Sequence, residues 1–144
     1  MKLAIFSHVA IACTDPVRTE DFYTRHFGAR RAAVFGGGPE QVVFLRMPNG
    51  AFYLELFQAK GQPPAAPADG AGPQCPGFRH LAFQVDDIDA KLAEMGADAR
   101  ISLGPIRFDS VIPGWRTVWI VDPDDRIVEI SQGFIDQLGW IPPK

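Results

Sequence analysis

"SHVAIACTDP", Ser7 to Pro16, and "RHLAFQVDDI", Arg79 to Ile88, are one pattern written twice. Each carries a histidine near the start of an apolar run and ends in aspartate suited to cap a helix. The repeat continues downstream, where "MPNGAFYLELF" from Met47 lies against "DPDDRIVEIS" from Asp122. His8 falls on His80 and Glu55 on Glu129, at offsets of 72 and 74 residues (80 − 8 and 129 − 55). A duplication that kept only apolar positions would be architecture. One that also keeps His and Glu, both metal-ligand types, points to a site built where two half-domains join.

Working outward, the apolar run Leu3 to Ala12 reads as a buried strand. Lys2 followed by "LAIFSHVAIAC" imitates a short signal peptide, but its charged region is one lysine and His8 interrupts the apolar run. Asp15-Pro16 then starts a helix that stops at Gly28. Strands are expected at Arg30 to Phe35, Gln41 to Met47 and Phe52 to Gln58, separated by the turns "GGGPE" and "PNG". The first half is therefore β-α-β-β-β. The order returns with a strand at Phe78 to Val85 and a helix capped by Asp86 or Asp87 and ended by Gly96. Further strands follow near Ala99 to Leu103, extended or followed by Ile106 to Val111, and at Arg116 to Val121 and Arg126 to Ser131. The expected layout is one α+β domain over residues 1–144: module 1 at about 1–58, a Pro/Gly/Ala-rich linker at 59–77, module 2 at 78–133 and a tail at 134–144. The tail is apolar enough to pack as a short helix ended by Pro142-Pro143.

With 47% apolar and 22% charged residues the chain reads as an ordinary soluble protein. A net charge of −3 gives no footprint for nucleic acid or an anionic membrane, and no run is long enough to span a bilayer. Cys13 and Cys75 have no metal-type spacing, and free thiols in a reducing cytoplasm are the expectation.

Strand alternation puts His8, Ala10 and Ala12 on one face and His80, Ala82 and Gln84 on one face of the matching strand. Glu55 shares a face with Tyr53 and Phe57, and Glu129 with Ile127 and Ser131, while Phe52, Leu54, Leu56, Val128 and Ile130 read as core. Helices over the apolar faces would leave the His/Glu faces lining a concave surface. Two imidazoles and two carboxylates suit Zn²⁺, Ni²⁺, Co²⁺, Mn²⁺ or Fe²⁺, and an octahedral ion so held keeps two positions for substrate or water. Such an ion would stabilise an enediolate oxygen while Glu55 and Glu129, from opposite halves, serve as base and acid. The reaction class is proton transfer next to a carbonyl. His26, with no counterpart in the second half, is read as a surface residue. Phe57, Trp119, Arg46 and Arg116 are candidates to shape the pocket, with both arginines expected at the surface by ordinary burial preference.

"SHVAIACTDP", "FYTRHFG", "YLELF", "RHLAFQVDDID" and "VDPDDRIVEIS" together resemble the vicinal oxygen chelate superfamily, over essentially the whole chain. That superfamily includes glyoxalase I, methylmalonyl-CoA epimerase, extradiol dioxygenases and bleomycin- and fosfomycin-resistance proteins. The resemblance implies paired βαβββ modules forming a cupped mixed sheet around one divalent metal ion, commonly in a homodimer. It carries the metal ligands onto His8, Glu55, His80 and Glu129, with Glu129 favoured as catalytic base and Glu55 as its partner. The glutathione contacts of the glyoxalases are absent, since Ala12 and Ala59 stand where arginine and asparagine would be. "DPDD" replaces the family's "DPDG", leaving Asp125 in a turn that glycine eases. The implied activity is a metal-dependent lyase or isomerase acting on a small oxygenated substrate. An Fe²⁺-dependent dioxygenase and a non-catalytic small-molecule-binding or resistance protein are the alternatives.

Overall fold

The computed structural model describes residues 4–50, 52–61 and 77–135. The elements run β1 (His8–Cys13), α1 (Pro16–Phe27), β2 (Arg30–Phe35), β3 (Val42–Arg46), β4 (Tyr53–Gln58), then β5 (Leu81–Gln84), α2 (Ile88–Met95), β6 (Ile101–Arg107), β7 (Arg116–Val121) and β8 (Ile127–Gln132). This is the α+β order of two tandem βαβββ modules. Each module closes a four-stranded mixed sheet of the same topology, β1-β4-β3-β2 in one and β5-β8-β7-β6 in the other. The chain divides into two compact units: Met1–Ala68 with the turn Asp122–Asp125, and Asp69–Val121 with Arg126–Lys144.

In the first unit, β1 pairs parallel to β4, and β4 and β2 pair antiparallel to β3. The first strand begins at His8 rather than Leu3, and Ile5 and Phe6 are exposed. Helix α1 starts where Asp15 accepts hydrogen bonds from the Val17 and Arg18 backbone N–H groups. It ends at Gly28, whose φ of 67° is the left-handed conformation that closes a helix without a Cβ penalty. Thr19, Phe22, Tyr23, His26 and Phe27 form its buried stripe, facing Ile11, Val43, Leu45, Leu54 and Leu56. His26 is therefore not the surface residue expected. It is 6% exposed and meets the Phe22 ring with centroids 5.1 Å apart, because position 26 lies on the same helical face as positions 19, 22 and 23. The turn Asp122–Asp125 completes this unit: Tyr23 donates to Asp122 at 3.2 Å, and the Thr14 N–H and Thr19 hydroxyl donate to Asp124. Asp125 adopts φ 60°, the left-handed conformation anticipated at the family's glycine position.

In the second unit, β5 pairs parallel to β8, and β8 and β6 pair antiparallel to β7. Asp87, rather than Asp86, caps α2 by accepting from the Ala90 N–H. Ile88 and Met95 join Leu81, Val118, Ile120, Val128 and Ile130 in the core. Of the stretches expected around 99–111, Ile101–Arg107 form one strand, with register shifts between Ile101 and Leu103 and between Leu103 and Ile106, while Phe108 to Val111 lie outside it in a turn. Gly104 sits at φ 91°, where an added Cβ would come within 3.0 Å of Thr117 O, and Pro105 has no N–H to give the ladder. Cys13 is buried, and Cys75 lies outside the described residues, as do most of the linker and the helix expected after residue 135. No helix among the described residues is long and apolar enough to cross a membrane.

Candidate metal and acid–base site

Alternation keeps the apolar side of each sheet under its helix and leaves the histidines and glutamates on the other side. In the first sheet, Ile11, Cys13, Leu54 and Leu56 are buried while His8, Ala10, Ala12, Glu55 and Phe57 are exposed or half-buried. The register sets Glu55 between Ala10 on one neighbouring strand and Phe44 on the other. In the second sheet Glu129 lies between Ala82 and Trp119 in the same way. Each carboxylate thus has a small residue on one side and an aromatic wall on the other.

The histidines complete two equivalent pairs. His8 Nε2 is 3.4 Å from Glu55 Oε2, and His80 Nε2 is 3.0 Å from Glu129 Oε2. His8 Nδ1 meets the Ser7 hydroxyl at 3.0 Å, and its ring stands edge-on to Phe44 with centroids 5.8 Å apart. His80 Nδ1 is buried without a hydrogen-bond partner among the described residues. In neither unit do three or more His, Cys, Asp or Glu side chains gather into a complete metal-holding group among the described residues. The arrangement is one imidazole and one carboxylate per unit.

Electrostatics make these pairs incomplete. The glutamate side chains are only 18% and 13% exposed, and neither has a lysine or arginine partner among the described residues. A carboxylate withdrawn from water without a cation is costly, and so is a buried ring nitrogen left unpaired. A divalent cation suits this donor set: hard oxygen and borderline nitrogen, with no thiolate nearby. Glu129 has a further contact, with Thr117 Oγ1 at 3.5 Å from its Oε1.

The structure separates the four candidate pocket residues. Trp119 stands beside Glu129, and Phe57 follows Glu55 on the same face. Arg46 also belongs to that face, its guanidinium 5.8 Å from the Tyr53 ring centroid. Arg116 instead shares the helix side of β7 with Val118 and Ile120, where it pairs with Asp89 of α2 at 2.8 Å. Phe44, Thr117 and Trp115 were not foreseen at the site, and Ser131 was placed only on the face it shares with Glu129. The only advance signal was partial: Phe44 and Trp119 lie 75 residues apart (119 − 44), close to the spacing of the duplication.

Comparison with known proteins follows the same outline. The family model described as Glyoxalase/Bleomycin resistance protein/Dioxygenase superfamily matches residues 5–112. "Uncharacterized protein YwkD" of Bacillus subtilis is 30% identical over 133 residues, covering 92% of this chain and 99% of that protein. A crystal structure of a glyoxalase family protein from Bacillus cereus superposes with a TM-score of 0.72 at 15% identity, over 92% of this chain and 95% of that one. A glyoxalase/dioxygenase from Nostoc punctiforme gives 0.61 at 25% identity, over 89% and 90%.

Proposed function

The chain belongs to the Glyoxalase/Bleomycin resistance protein/Dioxygenase superfamily, and from that premise we propose that it is a metal-dependent lyase or isomerase of the glyoxalase type, acting on a small oxygenated substrate. The observation that carries the reading is the matched pair of imidazole–carboxylate contacts, His8 with Glu55 and His80 with Glu129, at equivalent register positions of two sheets. These four residues would together hold one divalent cation, of the Zn, Ni, Co, Mn or Fe class. Such an ion supplies Lewis acidity toward a carbonyl oxygen and so acidifies the adjacent C–H.

The remaining work belongs to the chain. Glu129 takes the carbon-bound proton and Glu55 returns one. Ala10 and Ala82 leave room beside them, and Phe44 and Trp119 screen them from water. The alanines at positions 12 and 59 favour a substrate other than a glutathione adduct. A homodimer in the cytoplasm goes with this reading, and light scattering on purified protein measures the assembly.

The test is metal removal and replacement. Chelation is expected to abolish exchange of the α-proton of 2-oxo and 2-hydroxycarbonyl compounds into deuterated water, and one of the named ions to restore it. Glu129→Gln is expected to keep the metal and lower kcat by about 100-fold or more. Oxygen uptake with catechols would replace this reading with a dioxygenase. Tight ligand binding that survives chelation without turnover would replace it with a sequestering protein.

A further inference from the structure

The two carboxylates are equivalent by duplication and unequal in their surroundings. Glu129 lies at one end of a file of polar side chains. Trp115 Nε1 is 3.0 Å from Ser131 Oγ, Ser131 Oγ is 3.5 Å from Thr117 Oγ1, and Thr117 Oγ1 is 3.5 Å from Glu129 Oε1. Thr117 is 1% and Ser131 7% exposed, so water does not satisfy these hydroxyls freely.

The chemistry of the groups fixes the two ends of the file. An indole N–H can only donate, and an ionised carboxylate can only accept. The single proton of Thr117 is within reach of both Ser131 Oγ and Glu129 Oε1; donated to the carboxylate, it leaves Ser131, which accepts from Trp115, to donate to Thr117. We infer that Trp115, Ser131 and Thr117 are positioning residues that hold Glu129 Oε1 and thereby present Oε2 toward His80. Thr117 and Ser131 face each other across β7 and β8, two residues along on the same face from the facing pair Trp119 and Glu129, so the file is built into the ladder.

Among the described residues the first unit has no such file. The duplication offsets put Val42 at the place of Thr117 and Phe57 at that of Ser131, neither with a hydrogen-bonding side chain. Glu55 has His8 as its one polar side-chain partner among the described residues. Glu129 thus comes oriented by the fold, while no corresponding hydroxyl holds Glu55 among the described residues. Outer partners of this kind typically change metal affinity by about 10–100-fold when removed.

The inference rests on the function proposed above, and two readouts separate their fates. The first is Mn²⁺ affinity of the full-length protein by calorimetry. Thr117→Val is expected to weaken it by about 10-fold, Thr117→Ser to restore it, and Trp115→Phe to fall between. Ser102→Ala, which deletes an exposed hydroxyl bonded to Trp119 O in the neighbouring strand, is expected to match the wild type. The second is the ¹³C resonance of the Glu129 carboxylate in metal-free protein, which should move in Thr117→Val and return in Thr117→Ser. If the wild type takes up no Mn²⁺, the proposed function falls and the metal-free spectrum alone judges the file. A resonance unmoved by Thr117→Val, or not returned by Thr117→Ser, overturns the inference. With a metal-binding wild type, so does an unchanged Mn²⁺ affinity in Thr117→Val.

Discussion

His26 is an ionisable side chain held by an apolar stripe, packed on Phe22 and nearly closed off from water. Its replacement by alanine is expected to cost about 1–3 kcal/mol, read from urea denaturation, without changing metal uptake. The lack of a counterpart in the second half pointed to the surface here and helical position overruled it; the spacing 19, 22, 23, 26, 27 was visible in the sequence, but a histidine does not announce burial. His8, Glu55, His80 and Glu129 were legible for the converse reason, because identity is retained at the same offset in both halves. Thr117, Ser131 and Trp115 were not. Their meeting depends on the register between β7 and β8, which no local pattern states.

At the scale of elements, the capping aspartates were readable and their contributions can be measured. Asp15→Ala removes the acceptor for two α1 N–H groups and should cost about 1 kcal/mol in thermal or chemical denaturation. Between α2 and β7, the Arg116 guanidinium hydrogen-bonds Asp89 and holds its carboxyl below the ordinary 3.8. A carboxyl with a lowered folded-state pKa stabilises the fold above its unfolded value, and that stabilisation fades as pH falls through the folded one. The stability difference between wild type and Asp89→Asn should therefore be flat near neutrality and shrink below pH 3.8. Arg116→Ala is expected to lose the same contribution yet spare turnover, since Arg116 lies on the helix side of its sheet. The strand β6 was only partly legible: strand was expected near Ala99 to Leu103, extended or followed by Ile106 to Val111, and the structure runs it from Ile101 to Arg107 with the register shifted on the way.

For the whole molecule, the duplication made the module order expected, and the resemblance to the superfamily implied the mixed sheet. The arrangement of four donors around one cation is the part that pattern alone leaves to experiment. If one ion engages both units, saturating metal should stabilise them together, by about 2.7 kcal/mol at a concentration 100 times Kd. Scanning calorimetry would then show one transition moving upward; an ion held by one unit would shift that unit's melting alone. The turn Asp122–Asp125 bears on how such a chain can be divided. Though it joins two strands of the second sheet, its aspartates accept hydrogen bonds from Thr14, Thr19 and Tyr23, and Asp122 is fully buried. A polypeptide truncated after the first repeat would lack the four-residue turn that belongs to its own unit, the buried Asp122 included. Bisecting the gene at the obvious seam should consequently yield an N-terminal fragment that folds poorly until the C-terminal fragment is supplied in trans.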